Sequence, residues 1–260
     1  MPEALNPSQI AFFAEYGYLV VENRVPAMVM AEIRPEIRAE VARLRDPGPG
    51  LSRRIQQPQA RSEAIDALMR SDRVLGPVRD ILGPDVWLED ATLTLKPADK
   101  GTDIQWHRDQ ATPAYHRALV VRVFVDDLGP DNGPLMVFPG SHKGALGDPR
   151  QGAISAFDPV AAGLDPVDAV AMTGPAGSIT IHHARTVYGA LPSQSARDSA
   201  FFSFRMMAAD DVPPAKIDEA LATGALASRL LCGRPDRTPV GGAVQAGSLT
   251  PSTARARHAF

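Results

Sequence analysis

The chain has 260 residues, a formal net charge of −3 and one cysteine, Cys232. The length allows one large domain or two small ones. The charge excludes a strongly basic nucleic-acid footprint, and a single cysteine excludes an intrachain disulfide or a thiolate metal cluster. No apolar run approaches the roughly 20 residues that span a bilayer, and Met1-Pro2-Glu3-Ala4 lacks the basic and apolar regions of a signal peptide, so a cytoplasmic protein with no membrane or nucleic-acid partner is expected. Twenty-four prolines and 21 glycines predict many turns, which suits a strand-rich fold.

In chain order, Asn6-Pro7 reads as an N-cap with proline at the first helical position. Ile10, Phe12, Phe13 and Tyr16 follow at helical spacing, and Gly17 is suited to end the helix in the left-handed region. Tyr18-Leu19-Val20-Val21 reads as a short strand. A second helix is predicted over 26–44, with Pro35 as a kink or break. Residues 45–60, rich in Pro, Gly and Arg, read as a loop, and 62–82 as two short helices parted near Ser71-Asp72.

From Val86 to Lys96 apolar residues alternate with Asp90, Thr92, Thr94 and Lys96, the period of strands. Ala118 to Asp126 is a central strand with one interruption, Arg122. Because a buried arginine needs a partner, Arg122 is expected either to face a barrel interior or to pair with an acid. Gly129 to Pro134 is a dense turn signal, Leu135 to Phe138 a short strand, and His142 a turn histidine. Residues 144–173 read as a long loop, 177–183 and 200–207 as strands, 215–231 as a helical patch and 233–260 as a loosely held tail. Helices first and then many short strands predict an α+β chain: an all-β barrel or sandwich with a helical flank.

The stretch that carries chemistry is Trp106-His107-Arg108-Asp109-Gln110. On an extended segment His107 and Asp109 point to the same side. One imidazole and one carboxylate facing one point are two thirds of the 2-His-1-carboxylate set that holds non-haem Fe(II) with open positions.

Four segments together resemble the phytanoyl-CoA dioxygenase-like group of Fe(II)/2-oxoglutarate oxygenases: SQIAFFAEYGYLVV, WHRDQ, VVRVFVDDLGPDNGPLMVFPGSHKG and AGSITIHHARTVYGALPSQS. The resemblance runs from about Leu5 to Asp211. It implies one domain over 1–260: a mainly helical flank over 1–85, a double-stranded β-helix (jelly-roll) core over 86–211 and a C-terminal extension over 212–260. It also implies Fe(II), 2-oxoglutarate and O2 as reactants, and hydroxylation or a related C–H oxidation of a small molecule, in specialised metabolism for instance.

Carried over residue by residue, His107 and Asp109 match the first two iron ligands. The second histidine falls on Tyr188, and the arginine expected for 2-oxoglutarate falls on Ser199, with Arg197 the nearest arginine. Arg205 lies further along the strand and is expected to be too far from the mouth. Tyr188, His183 or His182 are the candidates for completing the metal site, His183 being placed in the metal set. Thr94 and Lys96 lie on the strand before His-x-Asp, where the family's polar residues help hold the co-substrate, and with Arg197 and Ser199 they make up the expected co-substrate set. Two readings stay open at this point. One is an oxygenase. The other is a degenerate member that uses the pocket without redox chemistry, binds a ligand or supports a partner subunit. A homodimer is compatible with either.

Overall fold

The computed structural model describes residues 4–43, 52–98, 104–109, 117–143 and 158–233. Helix α1 (Pro7–Tyr16) starts at Asn6, whose side chain accepts a hydrogen bond from the Gln9 backbone while Gln9 answers to the Asn6 backbone. It ends at Gly17 with φ of 75°, the left-handed stop expected from the sequence. Strand β1 (Tyr18–Val21) leads to α2 (Ala27–Ala42), which continues through Pro35 rather than breaking there. Strand β2 (Arg53–Gln56) follows, then α3 (Glu63–Arg70) and α4 (Asp72–Leu82), divided at Ser71. The loop expected over 45–60 is thus a strand in its second half, while 45–51 lies outside the described residues.

The remaining strands are β3 (Val86–Lys96), β4 (Ile104–His107), β5 (Ala118–Phe124), β6 (Leu135–Val137), β7 (Val170–Met172), β8 (Ile179–His183), β9 (Tyr188–Ala190) and β10 (Ser199–Ala208). Helices α5 (Pro214–Ala222) and α6 (Leu226–Arg229) and strand β11 (Leu230–Cys232) complete the described chain. The helical patch over 215–231 therefore ends in a strand, and the tail over 234–260 lies outside the described residues.

Two antiparallel sheets form the core. The larger runs β1-β8-β5-β10-β3-β11, with β2 also on β3; the smaller runs β4-β9-β6-β7. Pairing of β1, β2 and β11 into the larger sheet draws segments from both ends of the chain into the jelly-roll.

Side-chain alternation divides the larger sheet into two unlike faces. Leu93, Val121, Val123, Ile179, Ile181, Phe202 and Phe204 form one apolar cluster with Met30, Ile33 and Ile37 of α2, Ile65 and Met69 of α3, and Leu75 and Val78 of α4. Each such fully buried side chain contributes about 1.5–3 kcal/mol, so this layer carries the stability of the fold. The opposite face bears Asp90, Thr92, Thr94 and Lys96 of β3, Arg122 of β5, and Ser203 and Arg205 of β10. The polar positions of β3 are therefore not a solvated face: they look inward at the smaller sheet. Strand β5 is buried at every residue because both its faces are covered, which explains its near-continuous apolar run.

Candidate metal and ligand pocket

A cavity of about 430 Å³ lies between the sheets. Its walls include Thr94, Lys96, Arg122 and Arg205 from the larger sheet and Ile104, His107, Leu135 and Tyr188 from the smaller one. Asp109, just beyond β4, completes the mouth.

The sequence pair is brought together as expected. His107 Nε2 lies 3.8 Å from Asp109 Oδ1, and both side chains are about nine-tenths buried. His107 Nδ1 is 2.7 Å from the Gln105 carbonyl oxygen. A carbonyl only accepts, so Nδ1 carries a proton and Nε2 is the nitrogen turned toward the carboxylate. That backbone contact is the arrangement which fixes the tautomer of a metal-binding histidine. Trp106 packs its ring 4.6 Å from Phe138 and takes no place in the cavity wall.

Tyr188, the residue expected at the third-ligand position, lines the same cavity. Strand pairing sets it directly opposite His107, with ring centroids 4.2 Å apart. Its hydroxyl donates to Asp109 Oδ1 at 2.6 Å. Burial, and then the negative charge of Asp109, push its pKa well above the ordinary phenol value. With no metal bound the side chain is therefore a neutral phenol hydrogen-bonded to the carboxylate. Arg205 Nη2 stands 3.4 Å from the same oxygen, so the expectation that Arg205 lies too far from the mouth is corrected. The bulge between Arg205 and Met206 interrupts the β10 register at that point, a distortion not visible from residue types.

The structure does not bring His183 to the pair. Its Nδ1 accepts from the Arg185 backbone at 3.0 Å and its ring lies 5.4 Å from that of His142, on the other side of β8. The alternation of β8 turns His182 inward instead, fully buried with its ring 4.9 Å from Tyr188. Among the described residues neither nitrogen of His182 has a hydrogen-bond partner. Burial, and then the charge of Arg122, push its pKa down to about 3. Among the described residues no three His, Cys, Asp or Glu side chains converge closely enough to hold a metal. The donor set fits a divalent metal at two positions, His107 Nε2 and Asp109, with a neutral hydroxyl where a second imidazole was expected.

The residues expected at the co-substrate divide in the same way. Ser199 is buried but is not part of the cavity wall, and Arg197 is exposed and lines a separate cavity with Asp126 and Asp198. Thr94 and Lys96 do line the main cavity. Lys96 is the cross-strand partner of Ser199, so a cation stands on the strand beside the position where arginine was expected. Its Nζ donates to the carbonyls of Gly133 at 2.6 Å and Leu191 at 2.8 Å. A Cβ on Gly133 would lie 2.3 Å from that Nζ, and Gly133 has φ of 63°, so glycine is required there twice over.

Three wall residues, Ser52, Arg54 and Gln56, come from the segment taken as a loop. In Arg53-Arg54-Ile55-Gln56 a single apolar residue alternates with polar ones, too short a pattern to separate a strand from a loop.

An inward-facing His-x-Asp at the end of a strand, inside a double-stranded β-helix, defines the class of non-haem iron, 2-oxoglutarate-dependent oxygenases. The profile of the phytanoyl-CoA dioxygenase (PhyH) family matches residues 13–199, and the chain belongs to that family. It is 33% identical over 171 residues to a probable alpha-ketoglutarate-dependent hypophosphite dioxygenase of Stutzerimonas stutzeri, covering 63% of this chain and 59% of that protein. It is 29% identical over 218 residues to the ectoine dioxygenase of Bordetella bronchiseptica, covering 72% and 70%. The crystal structure of EctD from S. alaskensis with 2-oxoglutarate and 5-hydroxyectoine superposes with a TM-score of 0.69 at 25% identity, over 81% of this chain and 79% of that one. No helix among the described residues is long and apolar enough to cross a membrane.

Proposed function

We propose that the protein is an Fe(II)- and 2-oxoglutarate-dependent oxygenase of a small-molecule substrate. The observation that carries this reading is the placement of His107 and Asp109, 3.8 Å apart, with the imidazole held in the metal-binding tautomer. His107 Nε2 and one Asp109 oxygen would hold the metal. Fe(II) with 2-oxoglutarate would supply there the coupling of O2 reduction to oxidation of a substrate bond.

The chain's own residues do the rest. Tyr188 donates a hydrogen bond to Asp109 and fixes the carboxylate toward His107. Lys96 and Thr94 hold the far carboxylate of 2-oxoglutarate, the task that the resemblance assigns to an arginine at position 199. Leu135, Val120 and Phe201 wall the cavity with apolar surface and keep bulk water from the reacting bond. A substrate of modest size fits the cavity, and the relatives are named for hypophosphite and ectoine, both small and polar.

A second reading is favoured by one contact set. The Tyr188 hydroxyl, Arg205 and His107 all converge on Asp109 Oδ1, which suits a pocket that binds an organic ligand without redox chemistry. Succinate release by iron-loaded protein decides between the two. Turnover of 2-oxoglutarate to succinate, stimulated by one member of a panel of small polar molecules and lost in His107→Ala, supports the oxygenase. Absence of succinate with tight binding of an organic ligand supports the second reading.

A further inference from the structure

The cavity is more cationic than a metal and its co-substrate require. Among the described residues its wall carries four cationic side chains, Arg54, Lys96, Arg122 and Arg205, against two carboxylates, Asp90 and Asp109. Fe(II) and the 2-oxoglutarate dianion cancel one another, so loading the site leaves the excess of two positive charges in place.

The excess is concentrated at Arg122. Its side chain is buried on the inner face of β5, with the guanidinium 4.7 Å above the ring of Phe201. Its Nε has no hydrogen-bond partner among the described residues. Directly across the β5–β8 ladder, Thr180 is buried with an unpartnered Oγ1, and His182, opposite Val120, has two unpartnered nitrogens. Buried polar groups of this kind are satisfied in the great majority of proteins, and the Nε of Arg122, whose side chain lines the cavity, marks a place where an acceptor arrives with a ligand. Arg54, exposed on β2, lines the same cavity. Two guanidinium groups facing one cavity, one deep and one at the rim, form a clamp suited to an oxyanion.

We infer that the pocket has a second anion subsite, between Arg122 and Arg54, which takes an anionic group of the substrate: a carboxylate, phosphonate, sulfonate or similar oxyanion. Assigning that group to the substrate rather than to 2-oxoglutarate rests on the reading above, in which Lys96 holds the co-substrate.

The test is calorimetric titration with inorganic sulfate, a poor metal ligand, of protein loaded with Mn(II) and 2-oxoglutarate. Arg54→Gln, at the exposed rim, and Arg122→Met, which keeps the apolar stem, are compared with wild type after thermal melts confirm folding. Saturable sulfate binding, weakened at least tenfold in each variant while 2-oxoglutarate affinity changes less than threefold, is the expected result. Unchanged sulfate affinity in both folded variants, or no saturable sulfate binding by wild type, overturns the inference. Loss of 2-oxoglutarate affinity in Arg122→Met with sulfate binding unaltered also overturns it, because the guanidinium then serves the co-substrate. Sulfate binding that depends on both arginines in a protein showing no affinity for 2-oxoglutarate would keep the anion subsite and defeat the oxygenase reading instead.

Discussion

Replacing Tyr188 by phenylalanine isolates the contact that distinguishes this site. The substitution removes one oxygen and leaves the ring against His107 and His182, at centroid distances of 4.2 and 4.9 Å. What is lost is an O–H···O⁻ hydrogen bond of 2.6 Å between two buried side chains. Hydrogen bonds to charged groups contribute about 1.5–3 kcal/mol net. Asp109 keeps Arg205 at 3.4 Å, so it is not stranded, and a loss of about 2 kcal/mol is expected. For a chain of this size that is a fall of roughly 4–8 °C in Tm. The same hydroxyl orients a proposed metal ligand, and removing such a partner lowers metal affinity about 10–100-fold. Urea denaturation of metal-free protein and Mn(II) titration of the folded variant measure the two effects separately. Stability within about 0.5 kcal/mol of wild type, together with tighter metal binding, would refute the reasoning. The hydroxyl would then be blocking the metal position rather than supporting it.

Lys96→Met should weaken 2-oxoglutarate binding by about 10–100-fold, the value of a lost charged hydrogen bond, with Mn(II) affinity unchanged; calorimetry on the metal-loaded protein checks both. Gly133→Ala should cost about 1–3 kcal/mol in a urea melt, because φ is 63° and the new Cβ meets Leu191 O and Lys96 Nζ at 2.3 Å, and it should weaken 2-oxoglutarate binding by displacing the ammonium. His182 is held neutral in the fold, with its pKa near 3 against 6.5 when free. The unfolded chain therefore binds the extra proton between those values. The contribution of His182 to stability is complete above about pH 6.5 and falls by about 1.4 kcal/mol per unit as pH drops toward 3. His182→Leu should remove that slope, and at pH 7 it should cost little, because two unpartnered nitrogens leave the core; melts of both proteins at pH 7 and pH 5 test this.

The elements that could be seen in advance were those whose pattern is local. The Asn6–Gly17 helix has its own cap and stop, and β5 is apolar because helices cover one face and the cavity the other. The His107/Asp109 pair was legible because a strand places alternate residues on one side. Other features depend on partners distant in sequence. Arg54 enters the cavity only because β2 pairs with β3, and Lys96 stands beside Ser199 only through its own register against that residue. Choosing between His182 and His183 needed the phase of β8, which adjacent histidines do not reveal. Arg205 was misplaced because the bulge beside it and the reach of its side chain are invisible in one dimension.

Anaerobic Fe(II) titration of metal-free protein with 2-oxoglutarate present tests the central claim most directly, through the weak visible charge-transfer band of the chelate. A band that saturates at one iron per chain in wild type and disappears in His107→Ala is the predicted result. No band at any iron concentration, with the protein folded, would contradict the proposal that His107 and Asp109 hold a working iron site.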